Sequence, residues 1–192
     1  MLRKKLQDYL ETHHNIGITW GTTLLDIVNH LHGVERPDLN FVQLVGMPIN
    51  ASIRKNPLVQ RLAEKFDANF VSLPLPLYAK NKDFVQKSQA EPFYQLAKEY
   101  YQNLDLVISG IGTPEALEDD RFLNKRYKSA LFDNFYQQID GFIFGRPYDF
   151  HGQIFQETVD HICGINEQDL RQVPIRLVVE KTALNLKPLP VL

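Results

Sequence analysis

The sequence predicts an α/β fold, a mostly parallel sheet covered on both faces by helices. Three observations carry that prediction. Short apolar runs alternate along the chain with stretches of helical periodicity; the runs are nearly all apolar instead of alternating with polar residues; and several of them end on glycine. Strands of this composition, separated by helices, belong to parallel sheets buried on both faces.

Leu2 to Thr12 places Leu2, Leu6, Tyr9 and Leu10 on one helical stripe. Asn15 to Trp20 reads as a short strand, and Thr22 to Leu31 as a helix with Leu24, Leu25, Ile27, Val28 and Leu31 on a broad apolar face. Phe41 to Val45 is a continuous apolar strand closed by Gly46 and Pro48. A polar loop from Ile49 to Lys55 leads into a helix over Pro57–Phe66, with proline at its favoured first position. Asn69 to Leu73 is the next strand, ended by Pro74 and Pro76. A helix over Pro92–Asn103 precedes the strand Leu104 to Ser109. Phe122 to Ile139 reads as helical, Gly141 to Phe144 as a short strand and Val173 to Lys181 as a longer one. No repeat, low-complexity tract or flexible linker divides residues 1–192, so a single domain is expected.

With 192 residues and 44% hydrophobic content, one sizeable core can be built. A net charge of −2 leaves no electrostatic footprint for nucleic acid in these residues. The single cysteine, Cys163, cannot form an internal disulfide and lies in an apolar run that suits a buried core thiol. No run approaches the roughly 20 apolar residues of a membrane span, and a soluble cytoplasmic domain is expected. His13-His14 and His30-x-His32 lack carboxylates or cysteines at ligand spacing, so no metal and no cofactor is expected. Glu118, Asp119 and Asp120 read as a solvated acidic turn.

Three glycine-bearing segments carry the candidate chemistry, because open α/β sheets bind ligands beyond the carboxyl ends of their strands. In Gly17-Ile-Thr19-Trp-Gly21-Thr22-Thr23, Gly21 lets backbone approach a ligand, and the threonine hydroxyls stand beside the unsatisfied N–H groups of the following helix. Phosphate is the usual guest at such a terminus; a tight turn with a threonine cap suits the same spacing. In Leu106-Val-Ile-Ser-Gly110-Ile-Gly112-Thr113-Pro114, two glycines suit either close approach to a ligand or a plain turn. In Gly141-Phe-Ile-Phe-Gly145-Arg146-Pro-Tyr148-Asp149-Phe-His151-Gly152, Arg146 could pair with a phosphate and Asp149 with sugar hydroxyls. An Arg146–Asp149 surface pair, with Tyr148 and Phe150 packed beneath it, suits the same residues.

Taken in order, these segments resemble the sugar-binding domain of SorC/DeoR-type bacterial transcriptional regulators. The resemblance rests on Ile16-Gly-Ile-Thr-Trp-Gly-Thr-Thr-Leu24, Val42-Gln-Leu-Val-Gly46, Asn56-x-Leu-Val-x-x-Leu-Ala63, Leu73-x-x-Pro76 and Asp105-Leu-Val-Ile-Ser-Gly-Ile-Gly112. It continues through Gly141-x-Ile-x-Gly145, Tyr148-Asp149-x-x-Gly152 and His161-Ile-Cys-Gly-Ile165, and so covers almost the whole chain. It implies a Rossmann-like open sheet with helices on both faces, related to glucosamine-phosphate and ribose-phosphate isomerases. It further implies an effector-sensing domain that binds a phosphorylated sugar and controls the grip of a regulator on its operator DNA. By this resemblance Thr19, Gly21, Thr22 and Thr23 hold the phosphate and Gly110 and Gly112 line the same pocket. From the third segment Asp149 carries over, and Lys187 matches a C-terminal lysine that approaches the phosphate; Gly46, at the end of the second strand, and Arg146 are further ligand-binding candidates.

Departures accompany the match. Ala183 and Leu184 replace both glycines before Lys187, Lys181 competes for its role, and Pro188 and Pro190 fall where the family begins a helix. Met47-Pro-Ile-Asn50 lacks an expected second glycine, and Phe142 stands where aspartate is common. The family's helix-turn-helix and its extreme C-terminal segment are missing from these residues, so DNA contact is expected only through a separate domain. Family habit and apolar helices imply a homo-oligomer, dimer or tetramer. No catalytic residue is assigned, because aldose–ketose chemistry needs a carboxylate base and the strand ending in Ser109-Gly-Ile-Gly-Thr-Pro114 offers no acid before Glu115. An isomerase-like enzyme and a partner-binding domain with a degenerate pocket are the alternatives.

Overall fold

The computed structural model describes residues 2–47 and 57–180. Helix α1 (Leu2–Thr12) leads into β1 (Asn15–Ile18), followed by α2 (Thr22–Asn29), β2 (Asn40–Gln43), α3 (Leu58–Phe66) and β3 (Asn69–Val71). After α4 (Lys82–Ser88) and α5 (Pro92–Tyr101) comes β4 (Leu106–Gly112). Next are α6 (Pro114–Asp119), a short α7 (Arg121–Leu123) that continues as a π-helix over Asn124–Phe132, and a 3-10 turn at Tyr136–Gln138. Strands β5 (Gly141–Ile143) and β6 (Arg146–Tyr148), a 3-10 segment Gln156–His161, α8 (Glu167–Gln172) and β7 (Ile175–Val179) complete the order.

Five strands run parallel in the order β3-β2-β1-β4-β7, with Ile16 beside both Phe41 and Leu106, and Leu106 beside Ile175. The chain begins in the middle of the sheet at β1, moves outward to β2 and β3, and returns to β4 on the other side of β1. The order of winding therefore reverses between β1 and β4.

Alternate side chains enter two cores, as parallel strands require. Ile16, Ile18, Phe41, Leu106 and Ile108 pack with Leu6 and Leu10 of α1, Leu24 and Val28 of α2, and Leu62 and Phe66 of α3. Val42, Leu44, Val71 and Val107 face the opposite core, with Tyr94, Ala97 and Tyr101 of α5. Two tyrosines enter this core with their hydroxyls satisfied, Tyr101 donating to the Gln43 carbonyl at 2.8 Å and Tyr94 to that of Gly164 at 2.7 Å. The apolar runs of β1, β2 and β4 thus become doubly buried strands, with β3 and β7 more exposed at the edges, and the expected α/β architecture is observed.

Beyond the parallel sheet β4 changes partner. Its last residues pair antiparallel with β5, Ile111 with Ile143 and Gly112 with Phe142, and β5 turns into β6. Phe144 and Gly145 form that turn with φ of 49° and 76°, a combination of the mirror-image hairpin type that is easy for glycine and costly for phenylalanine. Burial of Phe144 and a 2.7 Å bond from the Tyr78 hydroxyl to the Gly145 carbonyl hold it there.

Several elements differ from expectation. The glycines of the second segment lie within β4, not in a loop after it. The expected acidic turn is α6 followed by the start of α7, with Thr113 and Asp120 as N-caps. The helical material expected over Phe122–Ile139 is observed as the end of α7, the π-helix and the 3-10 turn, with the Phe132 ring among Tyr78, Phe135 and Phe142. Helices α4 and α8 and strand β6 fall where the sequence pattern predicts no element.

Candidate functional site

The carboxyl ends of β1 and β4 lie side by side at the point where the sheet reverses its winding, which is where open α/β sheets hold ligands. The Thr19 N–H extends the β1–β4 ladder by donating to the Ile108 carbonyl at 3.0 Å. Its hydroxyl donates to the Ser109 hydroxyl at 3.3 Å, and Ser109 in turn donates to the Gly110 carbonyl at 3.0 Å. Thr19 and Ser109 are both buried.

Gly21 is the N-cap of α2. It brings no side chain to the helix start, and the first turn carries no acidic residue. Four N–H groups at a helix start have no intrahelical partner, and they sit at the positive end of the helix dipole. Thr22 is exposed and Thr23 half-buried. A Cβ built on Gly21 would meet no atom within 4 Å, and one on Gly110 would first meet the Leu24 side chain at 3.8 Å. The space in front of Gly21 is open, whereas a Cβ on Gly110 would be in ordinary contact with Leu24 and the Val179 carbonyl. At the other end of α2, Lys65 of α3 donates to the carbonyls of Val28 and Asn29 at 2.9 and 3.0 Å, which anchors the helix to its neighbour.

The turn carrying Thr19, Gly21, Thr22 and Thr23 is therefore brought beside Ser109 and Gly110 of β4, whereas Gly112 lies further along and pairs with Phe142 of β5. Gly46 serves a different purpose. It lies where Leu44–Met47, Leu75–Ala79 and His161–Ile165 are knitted together, its N–H donating to the Cys163 carbonyl at 2.7 Å. A Cβ there would stand 2.2 Å from the Pro76 carbonyl oxygen, so glycine is required by backbone packing.

The expectation that Arg146 faces a phosphate is corrected. Its side chain is 2% exposed and lies inside the β5–β6 corner, donating to the Phe144 carbonyl at 3.0 Å and the Ile165 carbonyl at 2.7 Å. Desolvation lowers its pKa from the ordinary arginine value. The Arg146–Asp149 surface pair is not formed either: the Asp149 carboxylate accepts the N–H groups of His151 and Gln153, both at 2.9 Å, and closes its own turn. Tyr148 is buried, whereas Phe150 is 65% exposed. Lys187 lies outside the described residues.

Ser109 is the residue that sequence reasoning passed over. Its signal was a lone hydroxyl interrupting an apolar run just before glycine. Cys163 is buried and unpaired, with its thiol pushed up to about 11 by desolvation. Among the described residues no three His, Cys, Asp or Glu side chains gather as a metal-binding group, and no helix is long and apolar enough to cross a membrane.

Comparison with known proteins agrees with this architecture. The family model described as "Putative sugar-binding domain" matches residues 2–183. A curated relative, the deoxyribonucleoside regulator of Bacillus subtilis (strain 168), is 25% identical over 165 residues, covering 81% of this chain and 50% of the relative. The chain thus spans about half the length of that relative. Among solved structures, the full-length sorbitol operon regulator SorC from Klebsiella pneumoniae matches with a TM-score of 0.78 at 22% identity, over 92% of this chain and 59% of that one. A DeoR family transcriptional regulator from Listeria monocytogenes matches with a TM-score of 0.77 at 19% identity, over 93% and 71%. Those two likenesses establish the fold, and the family model, matching nearly end to end, establishes the membership: the chain belongs to the family described as "Putative sugar-binding domain".

Proposed function

We propose that this chain is the effector-sensing unit of a cytoplasmic bacterial regulator, that it takes a phosphorylated sugar between β1 and β4, and that a separate domain binds operator DNA. The observation that carries this reading is the meeting of the Thr19–Thr23 turn with the end of β4 at the reversal point, where Gly21 opens onto free space at the start of α2. A phosphate there would accept from first-turn N–H groups and from the hydroxyls of Thr22 and Thr23. The sugar would lie along Gly110 and Gly112. Neither Asn15–Leu25 nor Leu106–Pro114 contains an aspartate or glutamate, which favours binding over proton abstraction next to a sugar carbonyl.

The test is thermal unfolding against hexose, pentose and deoxypentose phosphates and their unphosphorylated forms; deoxypentoses belong in the panel because the curated relative is a deoxyribonucleoside regulator. A ligand at one hundred times its Kd should add about 2.7 kcal/mol, roughly 5–10 °C in Tm at this chain length. The reading fails if no phosphorylated sugar raises Tm, or if unphosphorylated sugars raise it equally. Turnover in a coupled assay would replace the sensor with an enzyme.

A further inference from the structure

We infer that Thr19 and Ser109 are a positioning pair, which sets the β4 wall of the crevice through the Gly110–Ile111 peptide and does not touch the ligand. The inference rests on the crevice proposed above and assigns Thr19 a role different from the phosphate contact its sequence position suggests. Two buried hydroxyls form a relay: Thr19 Oγ1 donates to Ser109 Oγ, and Ser109 Oγ donates to the carbonyl oxygen of Gly110. Ser109 is 0% exposed and Thr19 5%, so these hydroxyls lie behind the crevice surface.

The end of the relay is its most informative part. Gly110 is the last residue of β4 to pair in parallel, opposite Val179 of β7, whereas Ile111 is the first to pair antiparallel, opposite Ile143 of β5. The Gly110–Ile111 peptide is where one strand exchanges one partner for another. A glycine brings no side chain to hold that junction, and the nearest atoms to a Cβ there lie 3.8 Å or more away. Because the peptide unit is planar and trans, fixing the direction of the Gly110 carbonyl fixes the Ile111 N–H as well. The relay thus ties the Thr19 turn of β1 to the peptide from which Gly112 and the β5–β6 hairpin depart. The phosphate end of the crevice depends on α2; its sugar end depends on this junction.

Two measurements test the pair, using Thr19→Val, which removes the donor at nearly constant shape, Ser109→Ala, and Thr19→Ser as the variant that keeps the hydroxyl. First, amide hydrogen exchange on the ligand-free chain should accelerate about tenfold at Ile111–Thr113 and Phe142–Ile143 in Thr19→Val and Ser109→Ala, the effect of losing one hydrogen bond locally. Val42 and Val107 should keep wild-type protection, and Thr19→Ser should behave as wild type. Unchanged exchange at Ile111–Thr113 overturns the inference. Second, calorimetry with ribose 5-phosphate and with inorganic phosphate should show the sugar phosphate weakened about tenfold in Thr19→Val while inorganic phosphate is held as before. An equal loss for both probes overturns the inference, because it makes Thr19 a phosphate contact. A wild-type chain that binds neither probe counts against the crevice reading alone, and the exchange result then decides the pair.

Discussion

Replacing Gly21 with alanine separates the site from the scaffold. Its φ of 164° is extended backbone that any residue adopts, and a Cβ meets no atom within 4 Å. Removing glycine's freedom from the unfolded chain at such a position stabilises by about 0.4–1 kcal/mol. Alanine is the poorer N-cap, however, and gives back several tenths of a kcal/mol at the start of α2. These terms oppose each other, so Gly21→Ala should stay within about 0.5 kcal/mol of wild type and within about 2 °C in Tm. The new methyl nevertheless occupies the space in which a phosphate would meet the first-turn N–H groups. Affinity for whichever sugar phosphate raises the wild-type Tm should fall at least about tenfold, or 1.4 kcal/mol. Thermal unfolding and calorimetry on the same preparation read both quantities. Wild-type affinity in Gly21→Ala would refute the crevice as the binding site, and a Tm loss of many degrees would refute the reading of Gly21 as open to space.

Gly46→Ala should behave in the opposite way, losing about 1–3 kcal/mol because its Cβ is driven into the backbone oxygens of Pro76 and Leu75; denaturant titration checks this. Arg146→Met should destabilise by about 1–3 kcal/mol, since it strands the Phe144 and Ile165 carbonyls inside the protein, yet leave sugar-phosphate affinity unchanged; an affinity loss at constant stability would return Arg146 to the site. Burial raises the Cys163 thiol from 9.0 to about 11. The folded state therefore keeps its proton where the unfolded state releases it, and this contribution, whole below pH 9, is lost as pH rises toward about 11. Cys163→Ala should flatten the alkaline fall in stability over that window by roughly 2–3 kcal/mol, measured as denaturant midpoints across pH.

The apolar strands and amphipathic helices were legible because their burial repeats along the chain. Leu24, Ile27 and Val28 mark one helical face wherever the helix sits, and Phe41-Val42 is apolar on both sides because both sides are covered. Short elements without a repeating apolar pattern were not legible by periodicity: α4 buries only Val85 and Ser88, and β6 contains Pro147, which argues against a strand until it is seen paired with β5 in a hairpin. For α6 and α8 the signals were local and present. Thr113 before Pro114 marks one helix start, and Asn166, whose side chain accepts from the Asp169 N–H, marks the other.

The sequence by itself determined the layered α/β class, the buried thiol and the Gly21-Thr22-Thr23 start of α2, because each depends on residues adjacent in the chain or on their spacing. Only the tertiary structure decided which polar residues are buried and which meet one another across the sheet. Arg146 reads as a phosphate clamp in a line of letters, but a hairpin turn carries it inward, where its two terminal nitrogens donate to the Phe144 and Ile165 carbonyls. Thr19 and Ser109 stand ninety residues apart and meet because β1 and β4 are neighbours at the reversal of the sheet. That adjacency belongs to strand order, which no local pattern encodes.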